Sequence, residues 1–311
     1  MTTLRDSLGT LGVWGHLDSL PATDLRPYVA HVAALGYGAL WVPETVGREP
    51  FTLLGTIAQA AGGMTLGTSI ASIWGHDAMT TRMAAMTLHE LTGGRFVLGL
   101  GVSHPHLAQK LRGHSYDHPL TRMREYLEAY RRLPWIGPVL GEGAPTEPPI
   151  LLAALRERML GLAATVADGA FPYLVGVERI GWMRGVLDAA APDGRRPLVA
   201  VTLPVVLETD PERARSAARA YLAPYLRAPN YQASWEAQGF DADDWTQPGS
   251  TGLVDATVAW GEAAAVRARI AAMHAAGADH VALIPLAPGG NAGRIPQTEH
   301  LPALEALAPR T

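Results

Sequence analysis

Eight short, continuously apolar runs recur along the chain, separated by longer stretches with helical spacing. They are Leu11–Leu17, Ala39–Val42, Met64–Ala71, Phe96–Val102, Ile150–Leu155, Ala170–Val175, Leu198–Leu207 and His280–Leu286. A strand with one wet face alternates apolar and polar residues. These runs do not, so both faces must be covered, as in parallel strands flanked by helices. Eight such units predict an α/β fold, a (β/α)₈ TIM barrel. That fold typically takes ~250 residues, and the 311 present leave room for an insertion. The competing arrangement, an open doubly wound sheet, would usually divide a chain of this length into two domains, and no linker is legible. One domain over residues 1–311 is expected, with an insertion at 230–252 before the last strand.

The intervening stretches carry helix punctuation. Asp24 is placed to cap a helix bearing Leu25, Tyr28, Val29, Val32 and Leu35, with Gly36 just past its end. Asp77 is placed to cap another with Met79, Met83, Met86 and Leu91 along one side. Those methionines read as core or as a helix–helix interface. Asp210-Pro211-Glu212 combines an N-cap, a proline at the first position and a first-turn acid. Pro134–Pro149 is rich in Pro and Gly and reads as a loop. Pro204, inside the seventh run, predicts a bulge or an early strand end. The insertion, NYQASWEAQGFDADDWTQPGSTG, holds Trp235 and Trp245 and is expected to pack as a cap. Its acids Asp241, Asp243 and Asp244 read as a solvated helix start.

Composition narrows the chemistry. There is no cysteine, which excludes disulfides, thiolate catalysis, iron–sulfur clusters and Cys-ligated zinc. Lys110 is the sole lysine and lies in a polar stretch, which leaves a Schiff-base mechanism without a candidate. Twenty-five basic against 29 acidic residues give −4, so no nucleic-acid partner is expected. No apolar run reaches the ~18 residues of a membrane span. The N-terminal stretch lacks the cationic start and apolar block of a signal peptide, so the cytoplasm is the default location.

In a barrel, function gathers at the C-terminal ends of the strands. Read in order, those ends offer Trp14 and His16, then Glu44, then Ser69, Ser72, Trp74 and His76, then Ser103, His104 and His106, and later Arg156, Tyr173 and Glu208. The result is a mouth rich in aromatic rings and imidazoles. His104-Pro105-His106 has the spacing of a metal-ligand pair, with His76, Asp77 or Glu44 as further ligands. The proline turns the chain and spoils the shared face, so no metal is expected. Gly99-Leu100-Gly101 begins like a dinucleotide-binding motif, but His104 stands at the third glycine position. The two glycines read instead as a place where the strand bends or a planar ring comes close.

GALWVPETVGREPF (Gly38–Phe51), LGTSIASIW (Leu66–Trp74) and GRFVLGLGVSHPHL (Gly94–Leu107), followed by ADGAFPYLV (Ala167–Val175) and AGADHVALIPL (Ala276–Leu286), resemble the luciferase-like monooxygenase superfamily. The likeness is closer to its actinobacterial branch of oxidoreductases dependent on a deazaflavin, coenzyme F420. It covers nearly the whole chain. It implies a coenzyme lying across the strand ends, supported by a bulge with a non-prolyl cis peptide at Ser69-Ile70. Val102 and Ser103 would lie along the ring. Glu44 and His104 match two acid/base positions of sugar-phosphate dehydrogenase relatives, which carry His and Glu there respectively. The types are exchanged here, so a sugar-phosphate substrate is not implied. After the fifth strand, relatives often place a Gly-rich phosphate turn. This chain has Ala154-Leu155-Arg156-Glu157-Arg158, which leaves two expectations: Arg156 and Arg158 meet the phosphate in place of the backbone cradle, or Leu155 and Arg156 obstruct it and coenzyme binding is weak or lost.

The resemblance implies a hydride-transferring oxidoreductase using coenzyme F420 and a small-molecule substrate. His104 is the expected general acid/base, oriented by Ser103, with Glu44 tuning it or carrying the proton itself. Trp14, His16, Trp74, His76 and Tyr173 would wall the substrate pocket. An FMN-dependent monooxygenase of the same fold and a non-catalytic barrel that has lost its coenzyme are the alternatives. A barrel metal hydrolase is more distant. Helices at Phe51–Ala61 and Ala78–Leu91, rich in Leu, Ile, Met and Ala, are the expected contact of a homodimer.

Overall fold

The computed structural model describes residues 3–141, 146–288 and 300–309. Eight parallel strands form a closed barrel: β1 (Leu11–Trp14), β2 (Ala39–Val42), β3 (Thr65–Thr68), β4 (Phe96–Gly101), β5 (Ile150–Leu152), β6 (Gly169–Ala170), β7 (Leu198–Val206) and β8 (His280–Leu286). Neighbours pair in chain order, and β8 closes the ring by pairing with both β7 and β1, Leu11 lying opposite Val281. Two further pieces of strand lie at the C-terminal side. Ala71–Ser72 resumes the line of β3 beyond a bulge and pairs with β4, and Ala259–Trp260 pairs with the end of β7.

Helices cover the outside: α1 (Ala22–Ala34), α2 (Pro50–Ile57), α3 (Ala78–Leu91), α4 (Pro119–Arg132), α5 (Glu157–Val166), α6 (Val177–Ala190) and α7 (Pro211–Leu222), while α8 (Pro229–Glu236) packs on the inner cluster at the mouth and α9 (Ala263–Ala275) returns to the outside. Successive strand residues enter two different buried clusters. In β2, Ala39 and Trp41 join Trp14, Phe171 and Ile284 inside the barrel. Leu40 and Val42 join Val29, Leu54 and Leu66 in the layer under the helices. Both faces are thus buried, which accounts for runs without alternation. Asp77 caps α3 by accepting from the Met79 and Thr80 amides, and Asp210 caps α7 through the Arg213 amide.

Several boundaries differ from the sequence reading. The α1 helix starts at Ala22, so Asp24 sits in its first turn instead of at the cap. Of the methionines along α3, only Met86 is buried; Met79 and Met83 are 56% and 46% exposed, so neither is core. The fifth run ends as strand at Leu152, and Ala170–Val175 is strand only over Gly169–Ala170. Beyond it Leu174 takes a left-handed φ of 56°, which ends an extended ladder. Phe171, Leu174 and Val175 are nevertheless buried, so the run is apolar because it is covered, not because it is paired. Pro204 causes neither a bulge nor an early end, for β7 continues to Val206. The β8 strand pairs with it from Ala200 to Val206 on one side. On the other side β6 stops opposite Val199 and the Ala259–Trp260 strand begins opposite Val205, so the proline falls on an unpaired length of edge.

The insertion contains α8 and the short helices Ala242–Trp245 and Thr251–Thr257. Trp235 is fully buried, and Trp245 packs on the same cluster. Asp241 caps the Ala242–Trp245 turn.

Candidate active site

The mouth of the barrel is organised by the break in β3. The Ser69-Ile70 peptide is cis. Three contacts fix it: the Ser69 amide donates to Val42 O (2.8 Å), the Glu44 amide to Ile70 O (3.2 Å) and the Trp14 indole to Ser69 O (3.1 Å). Strand β4 makes room for the bulge with two glycines. A Cβ on Gly99 would stand 1.9 Å from the Thr68 carbonyl oxygen, and one on Gly101 would stand 2.6 Å from Ile70 side-chain atoms. Gly101 therefore makes room for Ile70. Ser69, Ile70, Val102 and Ser103 remain half-buried, and Ser103 has a left-handed φ of 53°.

One group of polar side chains surrounds Glu44, whose side chain is only 5% exposed. Its Oε2 accepts from the Ser72 amide (2.8 Å), and Oε1 pairs with Arg112. The His76 Nε2 lies 3.6 Å from both Glu44 Oε2 and Glu49 Oε1. The bond to Glu44 is the main cause of a raised His76 pKa, because it favours the imidazolium. These groups line a cavity of about 480 Å³, reached also by Ser72 and Ser103.

A second group surrounds His104. Its Nδ1 lies 3.1 Å from Asn230 Oδ1, and its ring is 5.5 Å from that of Tyr231. Burial lowers its pKa, favouring neutral imidazole. Beyond Tyr231 stand Tyr225 and Tyr173, then Trp14 with His16 against its edge. The Tyr173 hydroxyl bonds those of Tyr221 and Tyr225. The expected orientation of His104 by Ser103 gives way to Asn230, and the Ser103 carbonyl accepts from Tyr116 instead. The expected tuning of His104 by Glu44 is likewise replaced, since the imidazole beside Glu44 is His76.

Trp74 stands at the side of the mouth, donating to Val102 O (2.8 Å) with its ring near those of His114 and Tyr116. Arg156 and Arg158 are exposed at the start of α5, Arg156 as its N-cap residue. Among the described residues no group of three or more His, Asp or Glu could hold a metal ion, and His106 is exposed on a π-helical turn. Among the described residues no helix is long and apolar enough to cross a membrane. Sequence reasoning missed Arg112, Asn230 and Tyr231. The first follows the π-helical turn and the other two belong to the insertion, where no strand end signals a functional position.

The fold and the mouth define a class: a closed parallel (β/α)₈ barrel with acid/base side chains at the C-terminal ends of its strands, where barrels of this kind do their chemistry. The chain belongs to the luciferase-like monooxygenase family, whose model matches residues 7–280. It is 30% identical over 278 residues to a Mycobacterium tuberculosis protein provisionally named coenzyme F420-dependent oxidoreductase Rv3520c, covering 79% of this chain and 78% of the relative. Among solved structures, the coenzyme F420-dependent tetrahydromethanopterin reductase from Methanopyrus kandleri has a TM-score of 0.74 at 16% identity, over 94% of this chain and 99% of that one. The oxygenating constituent of 3,6-diketocamphane monooxygenase from Pseudomonas putida, in complex with FMN, has a TM-score of 0.69 at 14% identity, over 96% of each. At those identities the structural likeness speaks for the fold.

Proposed function

We propose that this chain is an oxidoreductase that transfers hydride between coenzyme F420 and a small organic substrate. The observation that carries the reading is the bulge at Ser69-Ile70. It forms a half-buried ledge held from three sides, beside half-buried Val102 and Ser103, and suits a flat ring laid across the strand ends. Arg156 and Arg158 form no ion pair among the described residues, and they would hold an anionic coenzyme tail. The similarity to the mycobacterial protein favours the deazaflavin.

The deazaflavin, when bound, supplies hydride chemistry without ready oxygen activation, because it has carbon where a flavin has N5. The protein supplies orientation and proton management. His104, kept neutral by burial, takes up or returns the proton that accompanies the hydride. Glu44 holds His76 and Arg112 across the mouth. Trp14, His16, Trp74, His76 and Tyr173 wall the substrate pocket, and the Trp14 indole also holds the ledge in place. The working form is a cytoplasmic homodimer; of the two helices expected at its contact, α2 buries Phe51, Leu53, Leu54 and Ile57 in its own core, which leaves the exposed apolar residues of α3 for the partner.

A second reading, an FMN-dependent monooxygenase, draws on the FMN-bound structural relative. Anaerobic calorimetric titration of the purified chain with each coenzyme separates the two. Binding of F420 and its reduction or oxidation during turnover is the expected result. Binding of FMN alone would replace the proposal. No heat and no thermal protection with either coenzyme would make the barrel non-catalytic.

A further inference from the structure

His104 stands just beyond β4, yet what holds its ring comes from a segment 126 residues away in the chain. Asn230 is the second residue of α8, and its Oδ1 meets Nδ1 of the imidazole. With the amide oxygen as the acceptor in this contact, Nδ1 is the ring nitrogen that carries the proton and Nε2 the one that keeps its lone pair. The adjacent residue, Tyr231, sets its buried ring 5.5 Å from the imidazole. The α8 helix is itself anchored. The Trp235 indole donates to Leu174 O (3.0 Å), and Gln238 Oε1 just past its end accepts from the Gly176 amide (2.9 Å). The insertion thus reaches from the β6 loop over the mouth and grips one ring.

We propose that Asn230 is a positioning residue that fixes the tautomer and plane of His104, so that the imidazole offers an unprotonated Nε2 to the substrate. The proposal rests on the reading of His104 as the proton carrier. When Nε2 takes a proton the ring becomes imidazolium with both nitrogens protonated, and the Nδ1–H bond to Asn230 is retained. Asn230 therefore supports the ring before and after the proton moves. The titratable group facing the imidazole is the Tyr231 phenol, with Tyr225 and Tyr173 behind it. No ion pair to the ring is formed among the described residues, so the amide contact is its main polar hold.

Nitrogen-15 NMR of the ligand-free, full-length chain labelled at histidine tests this, with His104→Gln to assign the resonance. The wild-type ring should show one tautomer, Nδ1–H, and titrate below an ordinary histidine. Asn230→Asp, nearly isosteric, should raise the titration midpoint by a pH unit or more. Asn230→Ala should move both ring nitrogens toward the average of the two tautomers; if it does not fold, the aspartate variant carries the test. A wild-type Nε2–H tautomer, or a His104 titration indifferent to both changes, overturns the proposal whether or not F420 binds. Failure of F420 to bind would instead count against the proposed function, and the NMR result would still decide the role of Asn230.

Discussion

Two imidazoles at the mouth are driven in opposite directions by their surroundings. His76 gains a proton-stabilising bond from Glu44, while His104 is desolvated beside a neutral amide. Environments that separate two titrating groups in this way divide acid from base roles. Glu44→Gln should lower the His76 pKa, and histidine NMR that finds its midpoint unmoved would contradict the pairing. Replacing His104 by Ala should cost turnover ~10²–10⁴-fold while F420 affinity changes little; near-normal turnover would pass the proton role to Glu44 or water. A third imidazole, His280, is buried at the start of β8. It donates from Nδ1 to Gly9 O (2.9 Å) and accepts the Trp41 indole on Nε2 (3.0 Å). Burial lowers its pKa to about 4. The unfolded chain takes up this proton near pH 6.5 and the folded chain only near 4, so stability declines as pH falls between those values. The loss from this group should be about 2 kcal/mol between pH 7 and 5, read from urea unfolding, and His280→Gln should flatten it. The sequence made Glu44, His76 and His104 visible as strand-end residues. Their partners Arg112 and Asn230 were hidden because the contacts join distant segments that carry no periodic signal.

At the scale of elements, the strand–helix alternation made all eight barrel strands legible, because parallel strands buried on both faces leave continuous apolar runs. It could not distinguish paired backbone from covered backbone, as the short β6 and the buried loop Phe171–Val175 demonstrate. Nor could it show that Pro204 would find an unpaired edge. The Gly-x-Gly of β4 has a role specific to this barrel, since Gly99 admits the Thr68 carbonyl of the broken neighbouring strand. Gly99→Ala should destabilise the fold by about 3 kcal/mol or more, the upper range of overpacking. Gly161 in α5 has nothing within 4 Å of an added Cβ, and Gly161→Ala should leave stability unchanged or raise it by up to about 1 kcal/mol. Urea unfolding of the two variants side by side gives the comparison, and equal effects would remove the packing explanation for Gly99.

The whole molecule presents an unusual helix. Along α3, Met79, Met83 and Leu91 are 56%, 46% and 59% exposed, although the barrel face of the same helix is well filled by Ala85, Met86 and Leu88. We expect this second apolar stripe to be covered by a copy of the chain. Light scattering at roughly 50 μM, within the range of ordinary association constants, should give twice the chain mass, and Met83→Glu should shift the protein toward monomer. A monomer in the unaltered chain would leave the stripe without that partner.

Barrel closure has a further consequence for the making of the protein. The β1 strand pairs with β8, and about 270 residues separate Leu11 from Val281. At ~5–20 residues per second of synthesis, β1 emerges with one edge bare for roughly a quarter of a minute to a minute. Until β8 is made the ring cannot close, and the unused amides and carbonyls of β1 are open to pairing with another strand.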